Sequence, residues 1–109
     1  MITILRSHAT KLQMTAMSRL LGDRIKLAVD IRRGILAGGG ALHADCRSAL
    51  MEDGSQPEDI WGATWHPRTK LLMYDSQINI RPRQGNRTIT VTLPAIRAQI
   101  AQIARDLLG

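Results

Sequence analysis

A strict alternation of apolar and other side chains over residues 25–31 constrains the fold more than any other feature of this sequence. The odd-numbered positions are apolar: Ile25, Leu27, Val29 and Ile31. The even-numbered positions include Lys26 and Asp30. A period of two residues is typical of a half-buried strand. A turn over 32–34 and an apolar return over 35–37 then predict an antiparallel hairpin.

Helical patterns precede and follow this hairpin. Thr10, with Gln13 three positions on, has the form of a capping box and predicts the start of a helix. Asp45 is placed to cap a short helix over 46–52. Pro94 occupies a position that the first turn of a helix tolerates. The spacing after it predicts an amphipathic C-terminal helix with these apolar residues on its buried side: Ile96, Ile100, Ile103 and Leu107.

Further strands are predicted from the same period of two. A short strand is expected at 2–5, and another at 60–66, where Pro67 ends it. The longest strand is expected at 71–81, followed by a loop at 82–87 and a returning strand at 88–93. The order β-α-β-β-α-β-β-β-α predicts a single α+β domain over 1–109 with a mainly antiparallel sheet. One core is expected to hold Val29, Ile31, Leu50, Ile78, Ile80, Val91, Ile96, Ile100 and Ile103.

Composition narrows the class of protein. The 109 residues are 44% hydrophobic and 22% charged, which is typical of a globular domain. No apolar run approaches the ~20 residues of a membrane-spanning helix, and Arg6, His8 and Lys11 interrupt any signal-peptide pattern. The one cysteine, Cys46, excludes an intrachain disulfide. We therefore expect a cytoplasmic protein without a membrane partner.

The net charge of +6 raises the expectation of an anionic partner such as nucleic acid. Residues 76–109 carry five arginines against one aspartate. The plainer interpretation is that the charge only keeps the protein in solution.

His43 and Asp45 are the candidate catalytic residues. The imidazole pKa lies near neutrality, and on an extended backbone residues two apart face the same way. The alternative is structural: Asp45 caps a helix and His43 hydrogen-bonds a loop. Cys46 would need His43 as its base and is better interpreted as a buried small residue. No spacing supplies the three or four ligands of a metal site, and no cofactor motif occurs, so we predict neither metal nor cofactor.

The densest polar cluster runs through the predicted 71–81 strand into the following loop. Arg81, Arg83 and Arg87 can grip a phosphate or carboxylate bidentately. The predicted binding residues are Gln77, Asn79, Arg81, Arg83, Asn86, Arg87 and, as a stacking surface on a neighbouring strand, Trp61. In the alternative, Gln77 and Asn79 pair across strands, Arg81 bridges to Asp75, and Gly85–Asn86 is turn chemistry.

Four motifs carry a resemblance to a known family. They are Gly-Gly-x-Leu-His-Ala-Asp (39–45), Leu-Met-Glu-Asp-Gly-Ser (50–55), Asp-Ile-Trp-Gly (59–62) and Asp-Ser-x-Ile-Asn-Ile-Arg-Pro-x-x-Gly-Asn-Arg (75–87). The chain resembles a family of small bacterial proteins, frequent in cyanobacteria, that is catalogued as a domain of unknown function. The resemblance implies a bacterial single-domain protein and brings no activity, substrate or cofactor.

Three functional hypotheses follow. The first is a non-enzymatic binding or regulatory module whose arginine-rich hairpin holds nucleic acid or an acidic protein surface. The second is a small hydrolase or metal-dependent enzyme centred on His43 and Asp45 with Glu52 and Asp53. The third is a structural or regulatory subunit, including one that pairs with a copy of itself as a homo-oligomer.

Overall fold

The predicted hairpin forms the centre of a five-stranded antiparallel sheet. The computed structural model describes residues 2–109. Its strands are β1 (Thr3–Leu5), β2 (Ile25–Asp30), β3 (Ile35–Gly38), β4 (Ile60–His66) and β5 (Leu71–Met73), in the spatial order β1-β3-β2-β4-β5. Its helices are α1 (Lys11–Ser18), α2 (His43–Glu52) and α3 (Pro94–Leu108). The predicted α+β class with an antiparallel sheet is confirmed.

The strand β2 lies between two antiparallel neighbours. Val29 is opposite Leu36 of β3 on one side and opposite Trp61 of β4 on the other. The chain reaches β4 only after α2, which crosses one face of the sheet. The loop and helix between β3 and β4 therefore determine which side chains of the sheet are covered on that face.

Helices cover both faces of the sheet, so the prediction of one core is wrong. On one face α1 and α3 pack against Leu27, Val29 and Trp61. On the other face α2 contributes Cys46 and Leu50 to a separate cluster, which also includes Ile78. The prediction that β2 is half-buried is wrong for the same reason, because Ala28 and Asp30 under α2 are fully buried.

The predicted starts of α1 and α3 are confirmed. The Thr10 hydroxyl accepts from the Gln13 amide at 3.1 Å, and the Gln13 side chain accepts from the Thr10 amide at 2.9 Å. This reciprocal capping box satisfies two amides that have no partner within the helix. Pro94 occupies the first turn of α3. Leu12 is 83% exposed, and Met17 is the buried residue of α1.

The predicted strand at 71–81 is correct only over its first three residues, and the predicted strand at 88–93 is wrong. β5 ends at Met73, and the Ser76 hydroxyl accepts from the Ile78 amide to start a 3-10 turn at Gln77–Asn79. Only isolated bridges remain beyond β5, joining Asp75 to Thr90 and Arg81 to Asn86. Ile80, expected in the core, is consequently outside it at 44% exposure, and Ile89 of the predicted returning strand is 43% exposed. The side chains alternate with a period of two over 71–81, but the backbone is extended as a strand only over 71–73.

Candidate anion-binding groove

The start of α2 differs from the prediction of a helix over 46–52. The helix begins at His43, and Leu42 is the N-cap residue, without a side-chain hydrogen bond. Asp45 lies in the first turn and is exposed, so its predicted role as the N-cap is wrong. Residues two apart on a helix do not face each other. On an extended chain His43 and Asp45 would face the same way. Because both lie in α2, they do not.

The His43 ring is held against the sheet. Its Nε2 lies 2.9 Å from the Ala63 carbonyl and 3.4 Å from the Thr64 hydroxyl. Because a carbonyl can only accept, we assign the proton to Nε2. Burial lowers the pKa of His43, and the nearby charge of Lys26 lowers it further. The ring borders a cleft of about 250 Å³ that Lys26, Gln77 and Ile78 also line.

The other groups of the enzyme hypothesis are used elsewhere. Asp53 accepts from Arg6 at 2.6 Å and from Arg33 at 2.8 Å, and these two arginines hold the pKa of its carboxyl below its usual value. Burial raises the pKa of the Cys46 thiol, whose Sγ lies 3.6 Å from the Lys26 carbonyl. Within residues 2–109, no three His, Cys, Asp or Glu side chains are grouped to hold a metal ion.

The two asparagines predicted to bind a partner lie inside the fold. Asn79 is fully buried and bonds both backbone groups of Gly62, at 2.8 and 3.0 Å. Asn86 is also fully buried; its Nδ2 donates to the Asn79 carbonyl at 2.8 Å and its Oδ1 accepts from the Thr92 amide at 2.8 Å. Both amides act as backbone substitutes that hold the 74–92 segment in place.

Arg81 and Trp61 form a second internal anchor. Trp61 is 1% exposed, and the guanidinium of Arg81 lies 4.3 Å from the centroid of its ring. The same guanidinium donates to four backbone carbonyls and one side chain: those of Pro57, Glu58, Ile60 and Ile78, and Oε1 of Gln84. Its charge meets no carboxylate within hydrogen-bonding distance, and the alternative of an Arg81–Asp75 bridge is not observed, because Asp75 accepts from Thr90 at 2.7 Å.

Arg83, Arg87 and Gln77 remain on the surface. All three side chains are exposed. A 3-10 turn at Pro82–Gln84, followed by Gly85 at a φ of 83°, displays Arg83 at the tip of the loop, and Arg87 follows the base of the loop. The left-handed backbone there suits glycine. The bridge between Arg81 and Asn86 closes the loop at its base.

Arg47 is a groove residue that the sequence pattern did not predict. This residue and Arg81 line one groove of about 370 Å³, together with Glu58, Gln77 and Gln84 and the apolar residues Pro57, Ile78 and Ile80. Arg47 follows His43 by four residues, a spacing that places both on one side of a helix. This spacing points to Arg47 only if the helix is known to begin at His43, two residues before the predicted cap Asp45.

The His43 cleft and the Arg47 groove adjoin each other. Gln77 and Ile78 line both. Arg81 and Gln84 extend the groove to a shallow surface that Arg83 also borders. The structure therefore brings four basic side chains to one continuous stretch of surface, which we call the basic strip and which consists of Lys26, Arg47, Arg81 and Arg83. Asp45 does not line the cleft, the groove or that surface.

Comparison with known proteins supplies a family and no activity. The family described as "Protein of unknown function (DUF5674)" matches residues 3–107. The chain has no match among curated proteins or among solved structures. Within residues 2–109, no helix has the combined length and apolarity to cross a membrane.

Proposed function

The chain belongs to the family of proteins of unknown function DUF5674, and we propose that it is a non-enzymatic binding module that recognises an anionic partner through its basic strip and the adjoining loop. The partner is nucleic acid or an acidic protein surface. The proposal includes a cytoplasmic location, in keeping with the unpaired Cys46 thiol.

One observation carries the proposal: the arginines of this surface are not neutralised. The four ion pairs among residues 2–109 involve Arg6, Arg24, Arg32 and Arg33. Arg47, Arg81, Arg83 and Arg87 take part in none of these pairs. Arg19, Arg68, Arg97 and Arg105 are also outside these pairs, but none of them lines the cleft, the groove or the surface that adjoins it. A surface of uncompensated positive charge raises the local concentration of anions and favours their binding.

The loop that carries Arg83 and Arg87 is already ordered. The Asn86 side chain donates to the carbonyls of Thr88 and Thr90 at 3.1 Å each. Arg81 anchors the other end of the loop to the 57–60 segment. A partner that binds here loses little free energy to ordering the backbone, which is the advantage of a preorganised site.

The test is a binding titration with two labelled polyanions, a single-stranded DNA octamer and an octamer of glutamate. Fluorescence anisotropy measured at rising salt gives the affinity and its salt dependence. For at least one probe, the affinity is expected to fall as salt rises. Arg83→Ala with Arg87→Ala should weaken binding and flatten that dependence.

A matched control removes the same charge from the opposite face. Arg19 and Arg105 are exposed and lie at the end of α1 and on α3. Arg19→Ala with Arg105→Ala should leave the affinity within about twofold, since distant surface charges are screened over about 10 Å. If neither probe binds the native protein better than the Arg83/Arg87 variant at low salt, the proposed function is wrong.

A further inference from the structure

The Arg47 groove contains one guanidinium that the fold leaves free. Resting on the function proposed above, we infer that this groove binds the carboxylate of an aspartate or glutamate side chain in an acidic segment of another protein. The partner is thereby a protein rather than a nucleic acid.

Arg81 has little left to offer a ligand. Its Nε donates to the Ile78 carbonyl at 3.0 Å, and its terminal nitrogens donate to three further carbonyls and to Gln84. A guanidinium has five N–H groups. Arg81 therefore contributes its charge to the groove, while most of its hydrogen bonds hold the walls together.

Arg47, unlike Arg81, has no hydrogen-bond partner for its side chain among residues 2–109. Its side chain takes part in no ion pair and its Nε is shielded from solvent without a hydrogen-bond partner. With Nε shielded, the two terminal nitrogens are the ones a ligand can approach, and a carboxylate accepts from such a pair through both oxygens.

The charge of the groove favours one carboxylate. Arg47 and Arg81 outnumber Glu58 among the lining residues, so a single negative charge balances the groove. The neighbouring charge of Arg47 also contributes, after burial, to lowering the pKa of Arg81. An anion next to Arg47 would relieve this repulsion.

The walls fit an amino-acid side chain better than a nucleotide. Pro57, Ile78 and Ile80 provide apolar contact for the methylene groups of glutamate, and Ile80 is 44% exposed. The exposed Gln77 amide can both donate to and accept from a peptide group. Proteins that bind single-stranded nucleic acids commonly stack the bases on exposed aromatic side chains, whereas Trp61 and Trp65 are each 1% exposed.

The experiment measures the glutamate octamer and the DNA octamer on two substitutions of Arg47. Arg47→Gln should weaken peptide binding about tenfold or more, because the charge-assisted pair is lost. Arg47→Lys keeps the charge and loses the fork, so it should also weaken binding, by a smaller factor. Arg105→Gln is the matched control and should stay within about twofold, because a single distant charge is screened.

The outcomes separate this inference from the function on which it rests. Circular dichroism of each variant establishes whether it is folded. If Arg47→Gln does not fold, the effect of Arg47→Lys on peptide binding tests the inference. If the DNA octamer binds at least as tightly as the peptide, or if peptide binding is unaffected by both Arg47 substitutions, the inference is overturned while the proposed function stands. If neither octamer binds, both are overturned.

Discussion

Asn79 pairs with Gly62 in the manner of a neighbouring strand: its Oδ1 accepts from the Gly62 amide at 2.8 Å and its Nδ2 donates to the Gly62 carbonyl at 3.0 Å. The same Nδ2 also lies 3.1 Å from the Tyr74 carbonyl and 3.2 Å from the Ile89 carbonyl. One side chain thus replaces a strand beside β4 and joins the 74–92 segment to the sheet, which positions the walls of the groove.

Asn79→Ala should destabilise the protein by at least about 3 kcal/mol, because it leaves several buried backbone groups without partners at about 1–3 kcal/mol each. Chemical denaturation followed by tryptophan fluorescence measures the change. Gln77→Ala, on the exposed side of the same turn, is the control and should stay within about 0.5 kcal/mol of the native protein. A loss below about 1 kcal/mol for Asn79→Ala would show that its bonds are dispensable.

Gly62→Ala should also be destabilising, by about 1–3 kcal/mol, through overpacking. A Cβ at residue 62 would lie 2.4 Å from the Cβ of Ser76 and 3.0 Å from Ile78 Cγ1. Replacing Ser76 by glycine removes the nearer atom. In a double-mutant cycle, Gly62→Ala with Ser76→Gly should therefore cost less than the two single changes added together. Simple additivity would contradict the contact between these two residues.

The stability should depend on the protonation of His43. Burial lowers its pKa below the ordinary value of 6.5, so the folded protein binds fewer protons than the unfolded chain as the pH falls through this region. The free energy of unfolding consequently decreases as the pH falls from about 6.5 to the lowered pKa of the folded state. The stabilisation by neutral His43 is fully present at pH values well above about 6.5. His43→Gln should flatten this dependence. Identical slopes for the two proteins between about pH 5 and pH 7.5 would contradict it.

Ile100→Ala tests the packing of α3 against the sheet. Ile100 is fully buried in the cluster that includes Val29 and Trp61. The substitution should cost about 2–5 kcal/mol. Leu12→Ala, at an apolar residue that is 83% exposed, is the matched control and should cost less than about 0.5 kcal/mol. Similar small losses for both would show that α3 is not packed as described.

The sequence predicted those strands and helices in which the spacing of apolar side chains matches the period of the backbone structure. The alternation over 25–31 and the spacing of Ile96, Ile100 and Ile103 each correspond to a real strand and a real helix. The prediction failed over 74–93, where Asn79 has the pattern of an outward polar residue of a strand but is turned inward. Period-two patterns do not distinguish an inward amide that bonds the backbone from an outward one that faces water.

The candidate site was predicted in part. Arg83 and Arg87 are exposed, as expected for residues predicted in a surface loop, and Gln77 lines the groove. Arg47 could not be identified because Asp45 is a better N-cap residue than Leu42 by intrinsic preference, yet the helix begins after Leu42. Tertiary contacts accompany this start, because the His43 ring bonds the Ala63 carbonyl and Cys46 and Leu50 pack against the sheet.

The most direct measurement of the central claim is the ¹H–¹⁵N spectrum of the arginine Nε–H groups during titration with the glutamate octamer at low salt. The Nε–H of Arg47 is shielded from solvent, which slows its exchange with water and favours its detection. Binding at the basic strip predicts that the Arg47 signal shifts with added peptide and reaches saturation, while the Arg105 signal does not move. Unchanged Arg47, Arg83 and Arg87 signals with both the peptide and the DNA octamer at millimolar concentration would contradict the account.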